Sequence, residues 1–320
     1  MTVLIECGLK KIIVLDMRIL VFGKDGQLGR ALSRKFTNSE NVIFIGRKDC
    51  DLLSTVQIEN CLSYYKPQII INASAYTNVD EAEVNQGMAF AINEYAVQSM
   101  ATYCKNKSAK FIHFSTDYVF DGHKKTAYSE LDICKPINVY GKSKYNGEKV
   151  IQNILDNDSP GNAGYMIIRT SWMYGDGDNF IRSILKLSKQ TKLLKVISDQ
   201  FGVPTSASWL AEITYMLIYS QYLPSGIFHV VPPGKTTWYD LANHVISCAR
   251  KYSSNKDLVT EKVIPINSCD YHLLARRPSN SCLSTSKIQD NFRVFDTLFR
   301  VNWKDQVESY VSETITQNLV

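Results

Sequence analysis

No two of the eight cysteines form a C-x-x-C pair; Cys7, Cys50, Cys61, Cys104, Cys134, Cys248, Cys269 and Cys282 are scattered through 320 residues. That spacing suggests neither a zinc site nor a disulfide framework, and a reducing cytoplasm is the expected compartment. Blocks of like charge are also missing: the net charge of +5 is spread along the chain, which offers no footprint for nucleic acid and argues only weakly for anionic ligands. No apolar run is long enough for a membrane span. The best one, within Met1 to Asp16, is interrupted by Glu6, Lys10 and Lys11 and is followed by no small-residue cleavage site. Internal repeats, low-complexity tracts and linkers are absent too. What is present is an ordinary globular composition, 45% hydrophobic and 21% charged. The chain is too long for one comfortable core, so two domains, or one large domain with a cap, are expected.

A second methionine, Met17, stands directly before the apolar run Arg18-Ile19-Leu20-Val21-Phe22. The functional part is therefore expected to begin at Met17, with residues 1–16 an extension or a misassigned start. The run reads as a buried parallel strand and stops at Gly23-Lys24-Asp25-Gly26-Gln27-Leu28-Gly29, a G-x-x-G-x-x-G turn leading into a helical pattern. Glycines there let the backbone turn tightly and approach a pyrophosphate, which the helix N-terminus stabilises. Gly23, Gly26, Gln27, Leu28 and Gly29 are thus candidates for binding a dinucleotide.

The next strand, Val42 to Ile45, ends at Gly46-Arg47-Lys48. An acid about twenty residues past the glycines takes a ribose 2′-hydroxyl, whereas an arginine accommodates a 2′-phosphate, so Arg47 tilts the cofactor toward NADP. Asp51 reads as a helix N-cap that could also reach the adenine. A third buried strand, Gln68 to Asn72, ends in the small residues Ala73, Ser74 and Ala75, which leave room for a ligand at a strand's carboxyl end. Acids Asp80, Glu81 and Glu83 open a helical stretch that continues through Ala89 to Ala101 as core. Strand Lys110 to Phe114 then delivers Ser115-Thr116-Asp117-Tyr118, with Thr116 standing 24 residues before Tyr140.

Tyr140 and Lys144 are four apart, which on a helix stacks a phenol beside an ammonium. Taken alone the pair is an ordinary surface spacing; its meaning comes from the glycine-rich turn and the hydroxyls upstream. Alternating strands and helices through this half predict an α/β fold with a Rossmann-like, doubly wound parallel sheet. From Arg169 the pattern loosens into loops such as Arg169 to Gly175, a turn rich in side chains that could grip a sugar or a base, Ser198 to Thr205 and Arg276 to Ser281, the last with two cations for a phosphate-bearing substrate. A smaller C-terminal substrate-binding lid is expected. The expected boundaries are 17–170 for the NAD(P)-binding part, with 205–230 returning to it, and 171–204 plus 231–320 for the substrate region.

Together these motifs resemble the extended short-chain dehydrogenase/reductases: the glycine turn, Asn72 to Glu83, Ser115 to Gly122 and Tyr140-x-x-x-Lys144. More narrowly, Arg169-Thr170-Ser171-Trp172, Asp199 to Thr205, His229 to Gly234 with Thr236-Thr237-Trp238, and Arg277 to Ser281 look like the dTDP-4-dehydrorhamnose reductase family, from Met17 almost to the C-terminus. The resemblance implies NADPH-dependent reduction of the 4-keto group of a dTDP-sugar, dTDP-4-dehydro-L-rhamnose, to give dTDP-L-rhamnose. It implies Tyr140 as proton donor, Lys144 as its electrostatic partner and a holder of the nicotinamide ribose, and Thr116 as the carbonyl-binding hydroxyl. Asp117, Tyr118, Trp172, Gln200 and Arg277 become the residues expected to grip the sugar nucleotide. Members differ in NADPH versus NADH preference, and some pair into homodimers bridged by Mg2+ while others are monomers; no dense carboxylate cluster places a metal here. Two other outcomes stay open: another nucleotide-sugar reductase or epimerase, and a non-catalytic regulator like the regulatory subunit of methionine adenosyltransferase.

Overall fold

The computed structural model describes residues 4–5, 12–13, 17–156, 164–220, 223–253, 258–293, 296–317 and 319. The expectation about segment 1–16 falls almost entirely outside them; only the backbone pairing of Leu4–Ile5 with Ile12–Ile13 is described.

Strand β1 (Ile19–Phe22) is four apolar residues buried on both faces, the signature of a central parallel strand. Its side chains alternate. Ile19 and Val21 pack with helices α1 (Gln27–Lys35) and, later in the chain, Ala207–Tyr219, while Leu20 and Phe22 face α2 (Thr55–Tyr65), Ala96–Lys107 and Val139–Leu155. With β2 (Val42–Ile45), β3 (Ile69–Asn72), β4 (Lys110–Thr116), β5 (Tyr165–Thr170) and Gly226–His229, β1 builds one sheet in which every pair is parallel. Strand order runs from Gly226–His229 through β5, β4, β3 and β1 to β2, so the winding reverses at β1. Open α/β sheets leave a crevice at that point, beyond the carboxyl ends of the strands. The glycine-rich turn sits there, as the doubly wound arrangement expected from the sequence requires.

Further helices of this half are α3 (Val79–Val84), the short Gln86–Phe90, α4 (Ala96–Lys107) and α5 (Val139–Leu155). Helix α4 is entered through a π turn, Ala91–Tyr95, in a stretch whose apolar spacing predicts an unbroken α-helix. Helix α5 starts at Asn138, whose side chain accepts from the Gly141 amide at 2.7 Å and donates to the Arg276 carbonyl at 2.8 Å. An N-cap of this kind satisfies one of the four orphan amides of a helix start.

In the second half, α6 (Phe180–Ser188) and β6 (Leu193–Ile197) are followed by α7 (Ala207–Tyr219) and β7 (Gly226–His229), which return to the large sheet. The chain then leaves it again through α8 (Trp238–Tyr252), β8 (Lys262–Ile266) and α9 (Trp303–Thr316). Strands β6 and β8 pair parallel with each other, apart from the large sheet. Ile181, Ile184, Leu194, Val196, Val245, Val263, Trp303 and Val307 from these elements fill a second hydrophobic core.

Candidate active site

At the carboxyl end of β1, Gly23 adopts φ +93°, a left-handed conformation that a side chain would strain, and a Cβ there would lie 2.7 Å from the Ser74 amide nitrogen. A Cβ on Gly29 would strike the Gly23 carbonyl. The turn and the first turn of α1 are thus pressed together by the absence of side chains. Helix α1 receives no side-chain cap from Gly26 and has no acid in its first turn. Orphan amides at the positive end of a helix are what a pyrophosphate needs, so these residues fit a dinucleotide.

Around this turn the other candidates fall into place unevenly. Arg47 is exposed just after β2, in a loop held to the glycine turn by the Lys24–Asp49 ion pair at 2.5 Å. Asp51 is not the N-cap of α2. Ser54 is, accepting from Gln57 at 3.3 Å, while Asp51 closes a short turn by accepting from the Leu53 amide at 3.1 Å. The reason is local: an Asp bonding two residues ahead makes its own turn and leaves the cap to the serine beside the helix. Ala73, Ser74 and Ala75 follow β3 next to Gly23. The loop beyond them is pinned by Asn93 of the π turn, which accepts from the Tyr76 amide at 2.9 Å and donates to Ser143 Oγ at 2.9 Å.

Helix α5 presents Gly141, Lys144, Glu148, Ile151 and Leu155 inward, at steps of three and four. Two of these are charged, where a core stripe ordinarily carries leucine. Glu148 accepts from Arg169 Nε at 2.9 Å and pairs with its Nη2 at 2.6 Å, with Arg169 2% and Glu148 0% exposed. The Ser115 hydroxyl also donates to Glu148. Arg169 and Ser115 are therefore committed to a carboxylate inside the protein, wholly between α5 and the sheet. The expectation that the loop from Arg169 offers its side chains to a ligand does not hold for Arg169 itself.

Thr116 ends β4 within reach of the site. Its hydroxyl donates to Asp117 Oδ1 at 3.1 Å and accepts from the Tyr118 amide at 3.2 Å, with the Tyr140 phenol beside it. Burial pushes the Tyr140 phenol up to about 12; the neighbouring Thr116 hydroxyl opposes this and the Asp117 carboxylate adds to it. This differs from a phenol made acidic by its neighbouring lysine. Lys144 turns its Nζ toward β4, donating to the Phe114 carbonyl at 2.6 Å and meeting His113 Nε2 at 3.1 Å. Burial pulls Lys144 down to about 8, against the opposing influence of Glu148. His113 is absent from the site residues expected from the sequence. Its signal is nonetheless there: a histidine in the apolar strand Lys110 to Phe114 must find polar partners if buried.

Asp117 is buried, and burial pushes its carboxyl up to about 7 against the opposing influence of Ser281 and of the hydrogen bond from Thr116. A raised carboxyl pKa means that the native state holds a proton the unfolded chain has released, so this group's contribution falls as pH rises from about 4 to about 7. Asp117→Asn is expected to remove that loss. In denaturant unfolding its stability should gain on the parent's between pH 5 and pH 8, by at most about 3 kcal/mol at 1.36 kcal/mol per pH unit; a difference that does not change with pH would contradict it.

The candidate substrate residues are partly committed elsewhere. Arg277 pairs with Asp80 of α3 at 2.6 Å, and Asp80 Oδ1 also accepts from the Ala275 amide at 2.9 Å. Tyr118 stands edge-on to Tyr140 with ring centroids 5.7 Å apart. Trp172, at φ +44°, stacks on Trp238 at 3.6 Å, and Gly202 is packed so closely that a Cβ would meet the Trp172 indole. Gln200 is buried. Among the described residues no group of three or more His, Cys, Asp or Glu could hold a metal ion, and no helix is long and apolar enough to cross a membrane.

A doubly wound sheet with a dinucleotide turn at its reversal point, and a Tyr-x-x-x-Lys helix beside a strand-end hydroxyl, define an oxidoreductase of the short-chain dehydrogenase/reductase type. The model of the RmlD substrate binding domain family matches residues 17–315. The chain belongs to that family, the dTDP-4-dehydrorhamnose reductases. It is 37% identical over 286 residues to the dTDP-4-dehydrorhamnose reductase of Aggregatibacter actinomycetemcomitans, covering 87% of this chain and 94% of the relative. With the enzyme of that name from Escherichia coli strain K12 it shares 36% over 312 residues, 95% of this chain and all of the relative. The crystal structure of the Bacillus anthracis dTDP-4-dehydrorhamnose reductase in complex with NADP superposes with a TM-score of 0.81 at 27% identity, over 93% of this chain and 99% of that one.

Proposed function

We propose that the protein reduces dTDP-4-dehydro-L-rhamnose to dTDP-L-rhamnose with NADPH. The observation that carries the mechanism is the Tyr140 phenol beside Thr116 at the end of β4, with the glycine turn on the neighbouring side of the sheet reversal. Residues 17–170 and 205–230 hold the dinucleotide; residues 171–204 and 231–320 hold the sugar nucleotide. When bound, the nicotinamide supplies a hydride to C4 of the sugar.

Gly23, Gly26, Gln27, Leu28 and Gly29 receive the pyrophosphate, Arg47 the ribose 2′-phosphate, Asp51 the adenine end, and Ala73, Ser74 and Ala75 leave space beside the carboxyl end of β3. Thr116 polarises the 4-keto oxygen. Charge develops on that oxygen as the carbonyl carbon becomes tetrahedral, and Tyr140 Oη gives it a proton. A phenol held near 12 is protonated at neutral pH, which is the form a reduction consumes. Lys144 is one turn along the same helix and is the partner of Tyr140 in restoring that proton. Asp117, Tyr118, Trp172, Gln200 and Arg277 orient the sugar nucleotide; for Arg277 this means giving up part of its pairing with Asp80 or gripping the ligand alongside it.

Oxidation of NADPH, followed by absorbance with dTDP-4-dehydro-L-rhamnose as substrate, tests the assignment. Turnover with this sugar nucleotide is the expected result; cofactor binding without turnover would contradict it. The role of Arg47 has its own test: Arg47→Ala is expected to raise the KM for NADPH severalfold and to spare that for NADH. An equal effect on both cofactors would remove Arg47 from the 2′-phosphate.

A further inference from the structure

Thr116 ends β4 as the cap of a short 3-10 turn, Asp117–Val119, which holds its hydroxyl between two neighbours. The Tyr118 amide donates to Thr116 Oγ1 at 3.2 Å, and Asp117 Oδ1 lies 3.1 Å from the same oxygen. A hydroxyl has one proton and two lone pairs, and a backbone N–H can only donate, so the amide occupies one lone pair. The state of Asp117 decides the use of the remaining lone pair and the proton. A carboxylate has only acceptors; it takes the Thr116 proton, and Oγ1 then turns nothing but a lone pair toward any other group. A carboxylic acid with its proton on Oδ1 donates to Oγ1 instead, fills the second lone pair and leaves the Thr116 proton free.

The surroundings favour the acid. Asp117 is 2% exposed, and its other oxygen, Oδ2, has no hydrogen-bond partner among the described residues. An ionised carboxyl there leaves a charged oxygen with neither donor nor water, whereas the carbonyl oxygen of a neutral acid costs much less to leave unpaired. The titratable groups facing the carboxyl are Tyr118 next to it in the chain, Tyr140 on α5, and Cys282 in the loop after Arg277. None of these carries a positive charge. Arg277 is committed to Asp80 at 2.6 Å, and Lys235, which acts on Cys282, lies over the Phe201 ring. Burial therefore acts on Asp117 without an opposing cation, and with a value of about 7 both of its states are populated near neutrality.

We propose that Asp117 is a positioning residue for Thr116: as the acid it donates to Thr116 Oγ1 and frees the Thr116 O–H for the 4-keto oxygen, and as the carboxylate it takes that O–H away. This rests on the reading of Thr116 as the carbonyl-binding hydroxyl. A ketone oxygen offers only lone pairs, so it competes with the carboxylate for one proton. The site accordingly loses its carbonyl donor as the pH rises through the titration of Asp117.

The whole protein, labelled with 13C in its aspartate carboxyls, gives that titration without substrate. One signal, identified by its loss in Asp117→Asn, should titrate near 7 rather than near the ~3.9 of an ordinary aspartate. At saturating NADPH, kcat/KM for dTDP-4-dehydro-L-rhamnose should fall about tenfold per pH unit above that point, toward the roughly 100-fold that one lost carbonyl donor costs. In Asp117→Asn the side-chain NH2 donates to Oγ1 at every pH, so the fall that begins near 7 should disappear. It should also disappear in Thr116→Val, with kcat/KM low throughout, because the carboxyl then has no hydroxyl to direct. A carboxyl that titrates with the surface aspartates would overturn the proposal. So would a kcat/KM that rises through pH 7, the behaviour of an ionised carboxylate gripping the sugar, or a fall that survives in Thr116→Val. Absence of turnover at every pH counts instead against the reductase assignment, and the carboxyl titration is read independently of it.

Discussion

Tyr140→Phe is expected to lower kcat on the order of 100-fold or more while leaving NADPH affinity nearly unchanged. The size follows from losing a positioned general acid, which contributes roughly 100-fold to 10,000-fold. The selectivity follows from position. Tyr140 stands in the first turn of α5 and meets Thr116 at the carboxyl end of β4, whereas the cofactor's pyrophosphate would rest on the turn from Gly23 to Gly29, one strand beyond β3. Phenylalanine keeps the ring and its edge-on contact with Tyr118, so the fold has little reason to respond. Steady-state kinetics with a parallel fluorescence titration of NADPH would check both halves. Near-normal turnover would remove Tyr140 from the proton transfer.

The largest expected effect on stability is at Glu148. Glu148→Gln preserves volume and some hydrogen bonding but leaves the Arg169 guanidinium charged in the interior, beside His229 and Cys134 rather than water. Burial alone would lower the Arg169 pKa, but Glu148 outweighs it and raises the value, so the guanidinium stays charged. Removing one member of a buried pair costs about 3–5 kcal/mol, while replacing both by apolar residues of similar volume is often close to neutral. Denaturant unfolding should accordingly find Glu148→Gln destabilised by about that amount, with Glu148→Gln combined with Arg169→Met recovering a substantial part. A loss within about 1 kcal/mol for the single variant would mean that the charge finds other compensation.

Much of the fold is legible in local sequence because the central strands are buried on both faces and the half-buried edge strand Val42–Ile45 is wholly apolar too. Val42 to Ile45 can be read to the residue, and the run ending at Phe22 needs only its first residue moved, since uninterrupted apolar stretches bounded by a turn have few other uses in a doubly wound protein. The glycine turn is equally plain: Gly23 needs a positive φ and Gly29 a missing Cβ, and both constraints are written as glycine.

Helix starts are harder. Asp51 and Ser54 are both good capping residues three apart, and only the turn that Asp51 closes on Leu53 decides between them. The π turn at Asn93 leaves no periodicity signal, because one extra residue in a helix shifts the pattern by less than side-chain variety does. The interior of the site is least legible. Asn72, His113 and Lys144 are separated by 41 and 31 residues in the chain and meet through parallel register and the inward stripe of α5. Arg169 reads as free for a ligand because nothing in its own neighbourhood announces Glu148, which lies 21 residues away on a helix. Conversely, charges at positions 144 and 148 on a stripe that also carries Gly141, Ile151 and Leu155 are a sign, readable beforehand, that this helix face meets polar groups in the sheet.

The same fold carries several sugar-nucleotide chemistries, so the decisive question is where the hydride goes. The most direct measurement is turnover of dTDP-4-dehydro-L-rhamnose with NADPH deuterated at the transferable C4 position, with mass and NMR analysis of the sugar. The expected product is dTDP-L-rhamnose with deuterium on C4 of the sugar, and Tyr140→Phe should show no such transfer at comparable times. Saturable NADPH binding with no deuterium in any sugar product would contradict the reductase mechanism.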